Sequence, residues 1–379
     1  MYLGDSGQVL KQFQENTFDA LITDPPAAIK FRRSEWDSDK GGMMNWVNWL
    51  SSILKEGLRT LKPGAHAFVW AFPRTSHWTG LALELSGFEI RDKLIHIHGQ
   101  GWGGKGTDIG KSLPAYKGWN TTLKPAFEEW WLCRKPISEK TVIDNVRQWG
   151  TGALNIDACR EIRKPNDRFE YGLNGVRSVS EGNVYGRMSG ALYYNPQLGR
   201  WPSNIIHDNS QTVLDLFPTT EKSRRTKKET LRTGAAYDGG DRGREDEAEK
   251  IKGYGDKGST ARYFSQVEYS IEEIITDLIE EGMFIYCPKA TSKDRNSGLK
   301  GKNPHKTVKP TPLMQWLIRL TTAPNGIVLD PFMGSGTTGK ACVREGTRFV
   351  GVEKSLRYLL ASFERIRGEY NHVSKRISQ

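Results

Sequence analysis

Two blocks of alternating strand-like and helix-like segments, in the first third and the last quarter of this 379-residue chain, most constrain its fold. In the first block, FDALITD, AHAFVWAF and FEIRDKLIHIHG have the length of strands, and MMNWVNWLSSILKEGLRTL and SHWTGLALELSG between them have helical periodicity. The last block contains the helix PTPLMQWLIRLT, the strand GIVLD, the helix TTGKACVREG and the strand RFVGVE. Short strands separated by helices predict a parallel sheet that is covered on both faces.

The stretch between these blocks has a different character. Gly, Asn, Ser, Tyr and Arg dominate it, and hydrophobic periodicity fades. It contains the densely basic run EKSRRTKKETLR and a charged, Gly-rich run, YDGGDRGREDEAEKIKGYGDKGS, which we expect to be mobile. We therefore predict one α/β core built from two halves, residues 1–134 and 283–379, and an insert over residues 135–282 that is partly mobile.

Composition narrows the classes of function. The formal net charge of +11 favours a polyanionic partner, because clustered Lys and Arg release the counterions condensed on phosphates, although solvated surface lysines give the same charge. The four cysteines are far apart and have no ligand spacing, so neither a disulfide framework nor a metal site is indicated. No apolar run reaches the ~18 residues of a membrane span, and the N-terminus lacks the features of a signal peptide. We expect a cytoplasmic protein with no membrane partner.

The Gly-rich segment VLDPFMGSGTTG follows an apolar strand and precedes a helix, which is the context of a nucleotide-binding loop. Gly334 and Gly336 allow a sharp turn and close approach of a ligand. Glu353 ends the next strand, where doubly wound folds bind ribose hydroxyls. The loop lacks the GKS or GKT of a P-loop, and Asp330 suits a ligand that carries an ammonium and a sulfonium group. S-adenosylmethionine matches these features, whereas the alternative is a turn that only serves close helix packing.

The segment TDPPAAIKF, residues 23–31, predicts a strand end that leads into a stiff loop. An exocyclic amino group of adenine or cytosine is a poor nucleophile because its lone pair is conjugated with the ring. The Asp24 carboxylate and the Pro25 carbonyl oxygen can accept its two hydrogens and free that lone pair. Pro25 and Pro26 fix the backbone, so that both acceptors are placed in advance for attack on a methyl group.

These motifs together resemble the beta-class amino DNA methyltransferases, which modify N6 of adenine or N4 of cytosine. TDPPA, NPHKTVKPTPLMQWLIRL and VLDPFMGSGTTG followed by FVGVE occur in the order of that class, and the loop Asp-Pro-Pro-Ala is typical of solitary, often phage-borne members. The resemblance implies a circularly permuted Rossmann-like, S-adenosylmethionine-dependent methyltransferase sheet with an inserted target-recognition region. It implies a base that is flipped out of double-stranded DNA, and it leaves the oligomeric state open, a homodimer included.

The resemblance also assigns site residues. The catalytic positions are Asp24, Pro25 and Pro26. The implied cofactor-binding positions are Asp5, Asp24, His305, Thr307, Lys309, Asp330, Phe332, Gly334, Ser335, Gly336 and Glu353. For Asp5, a turn aspartate before a helix is an equally good interpretation.

The alanine after the two prolines departs from the family, since most relatives have an aromatic residue there that stacks on the extruded base. Ala27 has no ring, so Phe31 or Trp36 is a candidate substitute, with core packing as the alternative for each. The insert is expected to read the target sequence, and its basic cluster is expected to bind DNA phosphates. The members of this cluster are Arg224, Arg225, Lys227 and Lys228.

Four functional alternatives stay open at this point. Adenine N6 is favoured over cytosine N4 because cytosine-N4 relatives often carry Ser in place of Asp24. An RNA or protein amino-group methyltransferase is disfavoured by the basic insert and the motif order. A catalytically weak DNA-binding relative is disfavoured by the complete cofactor motifs.

Overall fold

The computed structural model describes residues 1–31, 34–98, 106–123, 126–160, 201–207, 211–220, 258–266 and 290–377. Its strands are β1 (Tyr2–Leu3), β2 (Phe18–Thr23), β3 (Leu61–Ala71), β4 (Glu89–Ile97), β5 (Phe127–Arg134), β6 (Ile205–His207), β7 (Thr219–Thr220), β8 (Gly258–Ser259), β9 (Ser265–Gln266), β10 (Ile327–Asp330) and β11 (Arg348–Glu353). Its α-helices are α1 (Ser6–Val9), α2 (Met43–Thr60), α3 (Ser76–Leu85), α4 (Val142–Trp149), α5 (Gln211–Leu214), α6 (Ser292–Asn296), α7 (Thr311–Thr321), α8 (Thr337–Glu345) and α9 (Leu356–Ile377).

Nine of these strands form one sheet in the order β1-β11-β10-β2-β3-β5-β4-β6-β9, and β7 and β8 form a separate pair. The strands from the end of the chain lie beside the first ones, since β10 pairs with β2 in parallel through Val328 opposite Ala20. The two sequence blocks therefore build one sheet, which confirms the predicted fold class. The alternating segments of both blocks also form the predicted strands and helices.

The prediction of an all-parallel sheet was wrong for β5. This strand runs antiparallel to both of its neighbours, β3 and β4. Among the described residues between β4 and β5 there is no α-helix, only two short 3-10 turns, and an antiparallel neighbour can be joined to its partner without the helical crossover that a parallel strand requires. Its sequence, FEEWWLCR, also contributes the fully buried Trp130 to the core.

Helices cover both faces of the sheet. On one face, α2 follows a helical repeat of apolar residues and buries Trp46, Leu50 and Leu54 completely. On the other face, α7 buries Leu313, Leu317 and Ile318. Each face is thus closed by an amphipathic helix, as the alternation of segments predicts, and the core lies on both sides of the central strands β2, β3 and β10.

The parallel strands β2, β3, β4, β10 and β11 end at one edge of the sheet, and the antiparallel β5 begins there. We call this the catalytic edge, because Asp24 follows β2, and Asp330 and Glu353 end β10 and β11. The short strands β6 and β9 lie within residues 135–282 and extend the sheet beside β4. None of the described helices is both long and apolar enough to cross a lipid bilayer.

Candidate active site

Asp24 is held by a lysine from the other half of the sequence. The Lys309 ammonium lies 2.7 Å from Oδ2 of Asp24, and the side chains are 10% and 22% exposed, respectively. Burial raises the pKa of Asp24 above its ordinary value, and the charge of Lys309 only partly offsets this effect. The ion pair thus joins the Asp-Pro-Pro loop to the HKTVKP segment at the catalytic edge.

A tryptophan and a second carboxylate complete the surroundings of this lysine. The Lys309 ammonium lies 3.8 Å from the ring centroid of Trp70, on β3. The Trp70 indole N–H donates to Oε2 of Glu128 at 3.0 Å. Burial alone would raise the pKa of Glu128, but the charges of Lys309, His96 and His98 and the Trp70 hydrogen bond lower it. Glu128 is therefore an ionised carboxylate, and the charge of Lys309 acts on both Glu128 and Asp24.

The loop after Asp24 is fixed by a buried carboxylate, that of Asp37. Its Oδ1 accepts the backbone N–H groups of Ala27 at 2.6 Å and Ala28 at 2.9 Å, and its Oδ2 accepts that of Phe31 at 2.8 Å. Ala28 and Lys30 have positive φ angles of 61° and 51°, which non-glycine residues adopt rarely. Asp37 thus stabilises a strained backbone at the point where the catalytic loop turns. Nothing in the sequence predicts this role, because an aspartate eleven positions beyond Pro26 belongs to no motif.

The GSG turn between β10 and α8 has the backbone that its glycines predict. Gly334 and Gly336 have φ angles of 52° and 79°, in the left-handed region that favours glycine. A Cβ atom on Gly334 would lie 3.0 Å from Nε2 of His305, and one on Gly336 would lie 2.7 Å from Cβ of Ser362. The turn therefore requires glycine for both conformation and space.

His305 lies against this turn as a neutral ring. Burial lowers its pKa to about 4. Its Nδ1 donates to the Thr307 carbonyl oxygen at 2.5 Å, which leaves Nε2 unprotonated and directed toward Gly334. Trp36 stacks on the His305 ring with centroids 6.1 Å apart, and the tryptophan is 36% exposed. Trp36 is thus not a core residue, and Phe31 is half-buried.

Asp330 lies beneath the turn and is engaged by protein donors. The hydroxyl of Thr23 donates to its Oδ1 at 2.7 Å, the hydroxyl of Thr338 donates to its Oδ2 at 2.5 Å, and the Phe332 N–H also donates to Oδ1. Burial raises its pKa to about 7 despite these three bonds. Asp330 therefore joins the ends of β2 and β10 to the start of α8, and its predicted contact with a cofactor stays a prediction.

Glu353 and Asp5 lie close together at the end of β11. The Glu353 carboxylate accepts the Ser355 N–H at 2.7 Å, and burial raises its pKa, while the N–H groups of Ser355, Gly334 and Lys354 oppose the increase. Asp5 caps α1 by accepting the Gly7 N–H, and it pairs with Lys354 at 3.3 Å. Both carboxylates are accessible at the catalytic edge, so the capping role of Asp5 is compatible with a ligand contact.

Ser335 and Phe332 have mainly protein contacts. Arg365 donates to the carbonyl and hydroxyl oxygens of Ser335, and the Phe332 ring packs against Trp49. The catalytic edge thus brings together all the predicted catalytic and cofactor-binding residues. The basic cluster of Arg224, Arg225, Lys227 and Lys228 lies outside the described residues.

Comparison with known proteins identifies the family of the chain. Residues 18–364 match the family model of the N6/N4 DNA methylases. The type II methyltransferase M.HinfI of Haemophilus influenzae is 38% identical over 77 residues, 20% of this chain and 21% of that protein. The type II beta methyltransferase M.BslI of Bacillus sp. (strain NEB-606) is 25% identical over 246 residues, 57% of this chain and 26% of that protein. The chain thus spans about a quarter or less of the length of either relative.

Among solved structures, the cytosine-N4-specific PvuII DNA methyltransferase superimposes with a TM-score of 0.46 at 15% identity, covering 98% of this chain and 91% of that one. The family match includes both motif blocks and most of the chain. This protein therefore belongs to the N6/N4 DNA methylase family.

Proposed function

We propose that this protein is an S-adenosylmethionine-dependent DNA methyltransferase that modifies the exocyclic amino group of a flipped-out base, adenine N6 in preference to cytosine N4. The observation that carries the proposal is the 2.7 Å contact between Lys309 and Asp24. It holds the carboxylate of the catalytic loop against the segment that leads into the cofactor motifs. The preference for adenine rests on Asp24, where cytosine-N4 relatives often carry Ser.

The residues of the catalytic edge fit S-adenosylmethionine. The left-handed backbone at Gly334 and Gly336 forms a sharp turn that carries no side chain at these two positions, which suits a ligand that lies close to the backbone. Glu353 offers a carboxylate for ribose hydroxyls, and Asp5 offers another within the same region. When bound, this cofactor supplies an electrophilic methyl group.

The protein's contribution is to prepare the amino group for attack. Lys309 approaches Oδ2 of Asp24, so Oδ1 stays available to accept one amino hydrogen. None of the described residues donates to the Pro25 carbonyl oxygen, which can accept the other hydrogen. Lys309 also favours the ionised form of Asp24, which is the form that accepts. The loop holds both acceptors in place because Asp37 fixes its backbone.

We further propose that residues 135–282 provide target recognition and that Trp36 contacts the extruded base. Trp36 is the more exposed of the two candidate rings, and its contact with His305 places it beside the GSG turn. Base-edge contacts require polar side chains outside the catalytic core. The basic cluster of the insert supplies phosphate contacts that set the register on the duplex.

Mass spectrometry of nucleosides tests the proposed reaction. Unmethylated plasmid DNA is incubated with the protein and S-adenosylmethionine, digested and compared with a reaction that lacks the cofactor. We expect N6-methyladenine to appear only with the cofactor. N4-methylcytosine alone would correct the target atom, and the absence of either product, with folded protein that binds the cofactor, would refute the proposed activity.

A further inference from the structure

A loop that follows β4 projects from the catalytic edge. Its described part, residues 106–123, lies between the end of β4 at Ile97 and the start of β5 at Phe127, and these two residues are paired. The His98 N–H donates to the Ala126 carbonyl oxygen at 2.9 Å and closes the base of the loop. Two residues further along β5, Glu129 pairs with Ala71 at the end of β3. The loop therefore begins and ends on the edge that carries Asp24.

The loop is ordered by its own backbone hydrogen bonds. It contains two 3-10 turns, Ile109–Lys111 and Pro114–Tyr116. The Ile109 N–H donates to the Trp119 carbonyl oxygen at 3.0 Å, and Asp108 and Asn120 form an antiparallel bridge. A segment that satisfies its backbone in this way has a defined shape without packing on a core.

This shape presents large apolar side chains to solvent. Every residue from 111 to 123 is exposed. Trp119 is 65% exposed and Leu123 is 91% exposed, with Leu113 and Tyr116 also exposed. The rings of Tyr116 and Trp119 contact each other edge to face with centroids 5.3 Å apart. Such a patch on an ordered loop beside an active site marks a binding surface rather than a chance exposure.

The charges of the segment indicate the chemistry of its partner. Loop 106–123 includes two lysines, Lys111 and Lys117, and one acidic residue, Asp108. The Asp108 carboxylate accepts the Gly110 N–H within the loop. Aromatic rings among lysines match nucleic acid, since the rings stack on unpaired bases and the ammonium groups approach phosphates.

We propose that loop 106–123 docks on the substrate duplex beside the extruded base, with Tyr116 and Trp119 stacked on bases that extrusion leaves exposed. The proposal rests on the proposed function for its substrate. It adds a DNA contact that lies within the first core half and is separate from the insert. Stacked rings would compensate for base contacts that are lost when the target leaves the helix.

Fluorescence anisotropy with two mixed-sequence duplexes tests this surface, one fully paired and one with a central bubble of unpaired bases. The variants are Trp119→Ala, Trp119→Phe and, as the matched control, Tyr370→Ala. Tyr370 is 62% exposed on α9, well beyond the start of that helix at the catalytic edge. We expect wild type to bind the bubble more tightly, Trp119→Ala to lose about fivefold or more of that affinity, and Trp119→Phe to recover part of it.

The proposal also predicts that S-adenosylmethionine affinity and the thermal midpoint of Trp119→Ala match wild type, because the side chain is exposed. If wild type binds the bubble no more tightly than the paired duplex, and Trp119→Ala binds both duplexes with the affinities of wild type, the docking surface is overturned. This outcome does not depend on whether DNA is methylated. An oligomer that dissociates in Trp119→Ala without a change in DNA binding would overturn it too, in favour of self-association. The absence of methylated nucleosides together with a lost bubble preference would refute the proposed reaction and leave the docking surface standing.

Discussion

At the scale of single residues, the site depends on how two carboxylates are partnered, the half-buried Asp24 and the buried Asp37. Asp24 is paired with Lys309 across the two sequence blocks, and Asp37 accepts three backbone N–H groups of the catalytic loop. The sequence predicted Asp24 from its motif and placed Lys309 near the cofactor. Neither the ion pair nor the role of Asp37 could be predicted, because both depend on contacts that only the folded chain creates.

Lys309→Met should shift the acid limb of the pH–rate profile to higher pH. The accepting form of Asp24 is ionised, so the rate rises with pH through the raised pKa of Asp24. Lys309 lowers that pKa, and its removal therefore raises it further. Lys309→Arg keeps the charge and should keep the limb near its wild-type position. Single-turnover rates measured across the acid range give the position of this limb. If the rate falls at the same pH in Lys309→Met and in wild type, Lys309 does not lower the pKa of Asp24.

Asp37→Asn should weaken the catalytic loop. An amide has one accepting oxygen, so at least one N–H among those of Ala27, Ala28 and Phe31 loses its acceptor. We expect a loss of about 1–3 kcal/mol in the free energy of unfolding and a slower methyl transfer at saturating cofactor.

Asp39→Asn is the matched control, because Asp39 is a partly exposed neighbour that accepts one N–H, from Gly41, and pairs loosely with Lys30. Asp39→Asn should leave the free energy of unfolding and the rate of methyl transfer almost unchanged. Chemical denaturation measures the free energy of unfolding of both variants, and single-turnover assays measure their rates of methyl transfer. Equal effects of the two substitutions would show that Asp37 does not stabilise the loop.

At the scale of elements, the strands and helices of both blocks were predictable because each has a clear period and clear end signals. The antiparallel β5 was not predicted as a strand, and an apolar run by itself does not reveal strand direction. Loop 106–123 was also missed, since composition does not show that a segment rich in Gly and Lys builds an ordered, exposed turn. The GSG turn was predicted in detail because glycine is required there by both φ and space.

Gly336→Ala should disrupt the turn that begins α8, whereas Gly346→Ala should not. Both positions have positive φ, 79° and 67°, so both substitutions carry a similar backbone cost. A Cβ atom on Gly336 would lie 2.7 Å from Ser362, and one on Gly346 would have nothing within 4 Å. We expect weaker S-adenosylmethionine binding and a lower thermal midpoint for Gly336→Ala than for Gly346→Ala. Calorimetry measures the cofactor affinity and the thermal midpoint of each variant. Equal values for Gly336→Ala and Gly346→Ala would contradict the claim that the turn at Gly336 has no space for a Cβ atom.

At the scale of the whole molecule, one sheet edge collects residues from both ends of the sequence, and the positive charge of the chain suits a polyanion. The order of motifs predicted this permuted arrangement, whereas residues 135–282 offered too little periodicity for a structural prediction. Two short strands of that region extend the sheet, so the region is joined to the core at β6 and β9. Its role in target recognition remains our proposal.

Neutralising Arg224, Arg225, Lys227 and Lys228 together to Gln should weaken duplex binding and flatten its dependence on salt. Each lost phosphate contact reduces the slope of log K against log salt by about 0.9, while the affinity for S-adenosylmethionine should not change. Titrations at several salt concentrations measure the slope. A slope equal to that of wild type would mean that the cluster is only a solvated surface.

The proposed methyl transfer depends most on the Asp24 carboxylate, which acts on the amino group of the base during the reaction. The direct measurement is the single-turnover rate of Asp24→Ala on DNA, with S-adenosylmethionine binding and thermal unfolding measured on the same sample. We predict a loss of methyl transfer to background with cofactor affinity within a fewfold of wild type, because the missing interaction is made mainly in the transition state. A variant that transfers methyl groups at a near wild-type rate would contradict the account.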